Sequence, residues 1–436
     1  MSNIIVEGGR PLNGSLSPSA NKNAVLPVLC ATLLTQAPVT LSNVPDITDV
    51  HLMLDFFRKL GSEVAVDFDT GKVRLHHGPG IRPDAVLPVG MRSSVMLIPP
   101  MLHRFGQAIL ETDAKGCTLG SREIDPHIDL FKAFGATVHG AAGNVVIEMA
   151  GQAQAIHHWL DYASVTTTEN FIMCALSAQG TSRLINAACE PHVQELCAFL
   201  TSMGVKLTGT GTSTITVEGG IPLAEAHHSF EEDFHEVATF LALSAMTGGD
   251  MRIRNGVPHH FPLLDRTFAK FGVTVEHKDG WSRVAARDPH VQRPFTAHML
   301  PKVEAAPWPY IPADLLPIFI ALGACTNGSM LYWNKVYEGA LGWSSELSKF
   351  GVQTVLCDPH RLITLGSSDH LTPAEVESPY IIRVAIALLM VACAVPGRST
   401  ILNADPIRRA HPRFAENLCA LGADVEWVGT RQSDAG

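Results

Sequence analysis

Charge is scarce in this chain: Asp, Glu, Lys and Arg make up only 17% of its 436 residues. A solvated tail or a coiled coil is therefore excluded as the main architecture, since both need charged faces. Basic residues are the scarcer sign, 32 Lys and Arg against 42 Asp and Glu, with a formal net charge of −10. Nucleic acid and anionic membranes are thereby excluded as main partners, because both require basic patches. Long apolar runs are missing too. The most apolar one, from Val384 to Pro396, has 13 residues and follows Arg383; it is too short for a bilayer and reads as a buried helix. Nine cysteines occur without one C-x-x-C pair. Their odd count and apolar neighbours, as at Cys30, Cys174 and Cys393, point to reduced core thiols in a cytosolic protein. The start, MSNIIVEGGRPLNG, has no basic stretch leading into an apolar one, so no signal peptide is expected and the location is read as cytoplasmic. A P-loop is excluded by the absence of G-x-x-x-x-G-K-[ST].

What the chain does have is apolar mass and repetition. Hydrophobic residues reach 46%, enough for large buried cores. One phrase recurs six times, FFRKLGSEV, LFKAFGATV, FLTSMGVKL, TFAKFGVTV, ELSKFGVQT and NLCALGADV, around Gly61, Gly135, Gly204, Gly272, Gly351 and Gly422. The residues four and one before each glycine are large and apolar: Phe57/Leu60, Phe131/Phe134, Leu200/Met203, Phe268/Phe271, Leu347/Phe350 and Leu418/Leu421. That spacing puts both on one helix face, and the glycine supplies the left-handed position that ends the helix. The apolar alternation after it reads as a half-buried strand. A period of roughly 70 residues is too long for a thin solenoid and holds two helices and several strands. Asn43, Asn186, Asn255, Asn334 and Asn403 stand 17 to 19 residues before their glycines, each closing a short strand. The second copy breaks the pattern with Cys117, and an irregular copy is where a site is expected.

Cys117 lies in AKGCTLGSRE, bracketed by glycines and by Lys115 and Arg122. Freed backbone amides and two cations would lower a thiol pKa. Lys22 and Asn23 open an apolar helix, where a lysine is unfavourable for the dipole unless it faces an anion. Arg92 stands likewise before SSVMLIPPML. Asp314 precedes an apolar helix in WPYIPADLLPIFIALG, and its default role is the helix cap. Gly209 and Gly211 form a G-x-G without a third glycine, which reads as a hairpin turn. HHSFEEDFHE, residues 227–236, is rich in His and carboxylates but lacks zinc spacing, and its second half reads as the acidic start of a helix.

The ordered set SANKNAVLPVL, MRSSV, GQAILETDAKGCTLGSREIDPH, ASVTTTEN, EEDFHEVATFLALSAM, PYIPADLLP and IRRAHPRFAENLCALGA resembles the enolpyruvyl transferases over the whole chain. The resemblance implies an α/β fold of two domains, each an inside-out barrel of three βαβαββ-like units about a pseudo-threefold axis. The chain would pass between domains twice, giving residues 1–20 plus 231–436 and residues 21–230. It implies transfer of the enolpyruvyl group of phosphoenolpyruvate to a hydroxyl, without metal or organic cofactor. The implied acceptor is a uridine nucleotide, UDP-N-acetylglucosamine of peptidoglycan precursor synthesis by default. UMP, as in nucleoside-antibiotic pathways, is the alternative, and a catalytically inactive nucleotide-binding paralogue is the reading from another class. By resemblance Cys117 is the acid and adduct-forming thiol, and Asp314 accepts the acceptor's proton. Lys22, Arg122, Arg383 and Arg409 hold phosphoenolpyruvate. Asn23, Arg92, Glu123, Ile124, Asp125, His127, Ser164 and Val165 line the acceptor pocket, and Glu190 helps order the site. Three positions depart from the family pattern: Ala340 and Tyr162 stand where an arginine and a lysine belong, and Ile381-Ile382-Arg383 replaces an Asp-Leu-Arg run. Losing a cation near a phosphate costs about 1–3 kcal/mol of charge-assisted bonding.

Overall fold

The computed structural model describes residues 2–82, 87–88, 91–111, 124–141, 144–288, 290–296, 298–366 and 368–429. Lys115, Cys117, Arg122 and Glu123 lie outside them. The described residues fall into two compact units, one gathering 2–19 with 232–429 and the other 20–231.

The glycines end their helices as the sequence requires. All six take left-handed φ, between 72° and 102°, where a Cβ is penalised. Every one of the twelve paired apolar side chains is at most 2% exposed. The fifth phrase departs from the others. Gly342–Phe350 winds as a 3-10 helix because its serines bond back three residues, Ser345 to Gly342 O at 3.1 Å and Ser348 to Ser345 O at 2.6 Å, which competes with α-helical winding.

Among the described residues the strands form six small sheets, five mixed and one antiparallel. In the sheet holding Gly180–Ile185, that strand pairs parallel with His157–Trp159 and antiparallel with Thr214–Gly219, which pairs with Lys206–Thr208. Four other sheets follow the same order. Two of them borrow a strand from the chain start: Asn3–Gly8 lies between Gly397–Leu402 and Asp424–Val428, and Gly14–Leu16 pairs parallel with Met251–Arg254. The sixth has three strands among the described residues, Gln107–Glu111, Asn144–Glu148 and Thr137–Ala141. Asn43, Asn186 and Asn403 leave their strands with φ of 57°, 61° and 58°, a conformation asparagine tolerates better than most residues. Their amides tie down the neighbouring chain at Phe230 O, Leu160 O and Glu377 Oε1.

In the unit holding 232–429 the helices Phe234–Thr247, Leu316–Ala324 and Ile382–Ala394 pack on one another and are buried almost all round. In the other unit Lys22–Thr32 and Val165–Ser177 are similarly engulfed. Helices apolar on every side belong in a core. No described helix is long and apolar enough to cross a membrane.

Candidate functional site

Asp314 and Arg383 line one recess, together with Asn334, Ala340 and Ile381. Ala340 and Ile381 also line an open depression of about 530 Å³ bordered by Trp343, Glu338, Glu346 and Glu377. Asp314 lies in the 3-10 turn Ala313–Leu315 that leads into Leu316–Ala324. The cap position there belongs to Pro312, so the expectation that Asp314 is the helix cap is corrected.

Arg383, the second residue of Ile382–Ala394, is only 6% exposed. Its guanidinium is held from two sides. Nη2 lies 3.3 Å from Asp233 Oδ2, and Nη1 lies 3.3 Å from His411 Nε2. Arginine cannot accept, so His411 accepts on Nε2 and turns Nδ1 toward Glu236 Oε2 at 3.5 Å. Asp233 caps Phe234–Thr247, accepting the His235 backbone N–H at 2.9 Å and facing the His235 ring nitrogen at 3.0 Å. Burial pushes the Asp233 carboxyl up, but the His235 hydrogen bond, and after it the charges of His235 and Arg383, outweigh it and hold the pKa well below the usual carboxylate range. Arg409 sits on the short helix Asp405–Ala410, next to Arg408, whose guanidinium stacks 3.9 Å over Trp427.

In the unit spanning 20–231, Asn21 caps Lys22–Thr32 by accepting the Asn23 N–H at 3.1 Å, which places Lys22 and Asn23 on the first turn. Ser164 caps Val165–Ser177. Ile124 occupies the cap position of Asp125–Ala133, the helix that carries His127. The Asn170 amide donates to His127 Nδ1 at 2.9 Å, so Nε2 bears the proton and faces the Thr166 and Thr167 hydroxyls at 3.3 and 3.5 Å. These bonds draw two helix starts together, one with Ile124, Asp125 and His127 and the other with Ser164 and Val165. Arg92 opens the 3-10 helix Arg92–Leu97. Glu190 stands at the cap position of Pro191–Ser202. Burial, and after it the Glu190 charge, raises the Glu169 carboxyl and lifts the Cys189 thiol to about 11.

The sequence description of EPSP synthase (3-phosphoshikimate 1-carboxyvinyltransferase) matches residues 6–418. The chain belongs to this family of transferases. It is 34% identical over 431 residues to the UDP-N-acetylglucosamine 1-carboxyvinyltransferase of Borrelia garinii subsp. bavariensis, spanning 98% of this chain and 99% of that one. It is 37% identical over 434 residues to the protein of that name from Bradyrhizobium diazoefficiens, with the same shares covered. Among solved structures the fold is similar to the enolpyruvyl transferase NikO from Streptomyces tendae, with TM-score 0.85 and 22% identity over 98% of this chain and 99% of that one. The EPSP synthase of Acinetobacter baumannii gives TM-score 0.78 and 17% identity, spanning 98% and 100%. Identities this low speak for the mixed α/β fold alone.

Ala340 and Ile381, two of the positions where the sequence is expected to depart from the enolpyruvyl transferase pattern, line the recess that Asp314 and Arg383 share. Tyr162 is 54% exposed, two residues before the Ser164 cap. The G-x-G at Gly209 is the turn between the antiparallel strands Lys206–Thr208 and Thr214–Gly219. In the 227–236 stretch, His228 binds Glu195 Oε1 at 3.1 Å and His235 binds Asp233. Among the described residues no group of three or more His, Cys, Asp or Glu could hold a metal ion. Sequence reading overlooked Asp233, His411 and Glu169. In the sequence Asp233 reads as part of an acidic helix start, and His411 stands two residues beyond Arg409, which is the available signal.

Proposed function

We propose that this enolpyruvyl transferase moves the enolpyruvyl group of phosphoenolpyruvate to a hydroxyl of UDP-N-acetylglucosamine, releasing inorganic phosphate in peptidoglycan precursor synthesis. The observation that carries the reading is the identity of 34–37% over almost the entire chain to enzymes named for that acceptor. Asp314 accepts the proton of the acceptor hydroxyl while its oxygen attacks C2 of phosphoenolpyruvate, and Cys117 delivers a proton to C3. The tetrahedral adduct then loses phosphate and one C3 proton, restoring the vinyl group on the new ether. The chain's share of this is positioning and proton transfer, which needs an acid and a base on opposite ends of the reacting double bond.

Lys22, Arg122, Arg383 and Arg409 neutralise the phosphate and carboxylate of phosphoenolpyruvate, as charge-assisted bonds to oxyanions require. Asn23, Arg92, Glu123, Ile124, Asp125, His127, Ser164 and Val165 form the acceptor side, and the His127 tautomer fixed by Asn170 leaves an N–H donor toward Thr166 and Thr167. Glu190 orders its surroundings. The finer architecture is two inside-out barrels of three βαβαββ-like units each, on residues 1–20 plus 231–436 and 21–230. The partners are small molecules, with no nucleic acid or membrane, and the protein works in the cytoplasm. Phosphate release assayed with UDP-N-acetylglucosamine, UMP and shikimate 3-phosphate separates the acceptors. Turnover with shikimate 3-phosphate and with neither uridine compound overturns the reading.

A further inference from the structure

Arg383 is not placed by its own helix alone. Its guanidinium rests between Asp233 Oδ2 and His411 Nε2, each 3.3 Å away, and a charge so enclosed has no water to orient it. The two holders come from different parts of the chain. Asp233 caps Phe234–Thr247, and His411 ends the helix Asp405–Ala410 that carries Arg409. A second tier lies behind them. Glu236 Oε2 accepts the Ser19 N–H at 3.1 Å and stands 3.5 Å from His411 Nδ1, which makes no hydrogen bond among the described residues. The Asp233 N–H donates to Ser19 O at 2.8 Å. Asp233, Glu236, Arg383 and His411 are all at most 6% exposed. An ionic network this deep is costly to desolvate, and replacing it with apolar side chains is often neutral or stabilising. Such a network is therefore weak evidence for a role in stability.

We propose that Asp233 and His411 are positioning residues of the transfer reaction, holding the Arg383 guanidinium in the orientation that receives the phosphoenolpyruvate anion. The inference rests on the functional reading above. Asp233 supplies the counter-charge, and His411 Nε2 as acceptor fixes the plane of the guanidinium fork, so that the N–H groups left over point in one direction. Because His411 also terminates the Arg409 helix, the same contact sets the spacing of two cations that serve one anion. A lone flexible arginine would lose rotamer entropy at every binding event, and pre-ordering removes that cost.

The test compares steady-state constants and calorimetric phosphoenolpyruvate binding in the full-length wild type, Asp233→Asn, Arg383→Lys and the double variant. Asparagine keeps the helix cap and removes the charge. The expected result is a rise of about tenfold in the phosphoenolpyruvate KM and Kd, with the acceptor KM within about twofold. On the Arg383→Lys background the further effect of Asp233→Asn should vanish, since both changes break one unit. Equal shifts in both KM values, full additivity, or a fall in melting temperature alone would overturn the proposal. If Asp233→Asn does not fold, His411→Gln is judged by the same criteria. A wild type that releases no phosphate defeats the functional reading; the binding titration still decides this one, because equal phosphoenolpyruvate affinity in wild type and Asp233→Asn contradicts it.

Discussion

Gly219 lies so close under the helix Val165–Ser177 that a Cβ on it would collide with the carbonyl oxygen of Ala175. Gly8 and Gly366 end their strands in the same way, against Ala392 O and Thr326 O. In each case the strand passes directly beneath the C-terminal end of a core helix, and only hydrogen fits between backbone and backbone. Gly219→Ala must push strand and helix apart in a packed core, which costs typically 1–3 kcal/mol. Chemical denaturation should show that loss. Gly204→Ala meets no atom within 4 Å of its Cβ, and its cost comes only from a left-handed φ of 96°, so it is expected to fall near 1 kcal/mol. Equal and negligible effects at both positions would contradict the close approach.

His77 is fully buried between the Thr32 hydroxyl, 3.0 Å from Nε2, and the Ser62 hydroxyl, 2.7 Å from Nδ1. Burial, and after it the charges of Arg104 and His76, lowers its pKa to about 3. The unfolded chain has the ordinary value near 6.5. Between those two pH values the unfolded state binds the extra proton, so stability is lost as the pH falls below about 6.5. The stability difference between wild type and His77→Gln should therefore shrink by up to about 1.4 kcal/mol per pH unit from pH 6.5 toward pH 4. A difference that stays flat over that window would show that His77 does not resist protonation.

Glu169 works in the opposite direction. It is 1% exposed, and its Oε1 has no hydrogen-bond partner. Burial, and after it the Glu190 charge, holds its pKa well above the usual carboxylate value. Here the folded state keeps the proton that the unfolded chain gives up above about pH 4.3, so the contribution is present at low pH and lost as the pH rises toward the folded pKa. Glu169→Gln should gain stability relative to wild type at pH 8 by about 1 kcal/mol and lose that advantage near pH 4. Urea melts at the two pH values measure it.

How much of this could be read from the sequence depended on whether a contact was local. The helix stops at Gly61 or Gly422 and the buried pairs such as Phe131/Phe134 follow from spacing within ten residues, and the geometry agrees with them. The helix Ile382–Ala394 was legible from the apolar run at 384–396 alone. The 3-10 winding of Gly342–Phe350 was hidden, because the glycine phrase there looks like the others and only the serine back-bonds distinguish it. The borrowed strand Asn3–Gly8 pairs with residues about 400 positions away, a distance at which pattern says nothing without the family resemblance. Asp233 and Arg383 are 150 residues apart. No periodicity links them, and an N-cap aspartate before a histidine looks like ordinary helix chemistry. The Cys117 loop lies outside the described residues, so the thiol is reached by experiment.

Cys117 should be the only cysteine alkylated by fosfomycin, an epoxide that mimics phosphoenolpyruvate in this family. Burial raises the thiols of Cys30 and Cys174, the latter to beyond the range of a useful nucleophile, and buried thiols are inert. Peptide mass spectrometry should find the adduct at Cys117, and Cys117→Ser should lose both labelling and most activity. Cys117→Asp should keep measurable turnover and resist fosfomycin, since aspartate can deliver a proton but is not a thiol. An adduct on another cysteine, or full activity in Cys117→Ser, would remove Cys117 from the site.

The most direct measurement follows the carbon of the substrate. Phosphoenolpyruvate labelled at C2 is incubated with the protein and UDP-N-acetylglucosamine, while phosphate release is monitored in parallel. The expected result is label in a vinyl ether of the sugar nucleotide, one equivalent for each phosphate released, with no metal added. Phosphate release with the label appearing only in UMP, when that is offered instead, would move the acceptor to the nucleoside monophosphate. Label that stays in phosphoenolpyruvate with every acceptor, or leaves as pyruvate without entering a nucleotide, would contradict enolpyruvyl transfer by this chain.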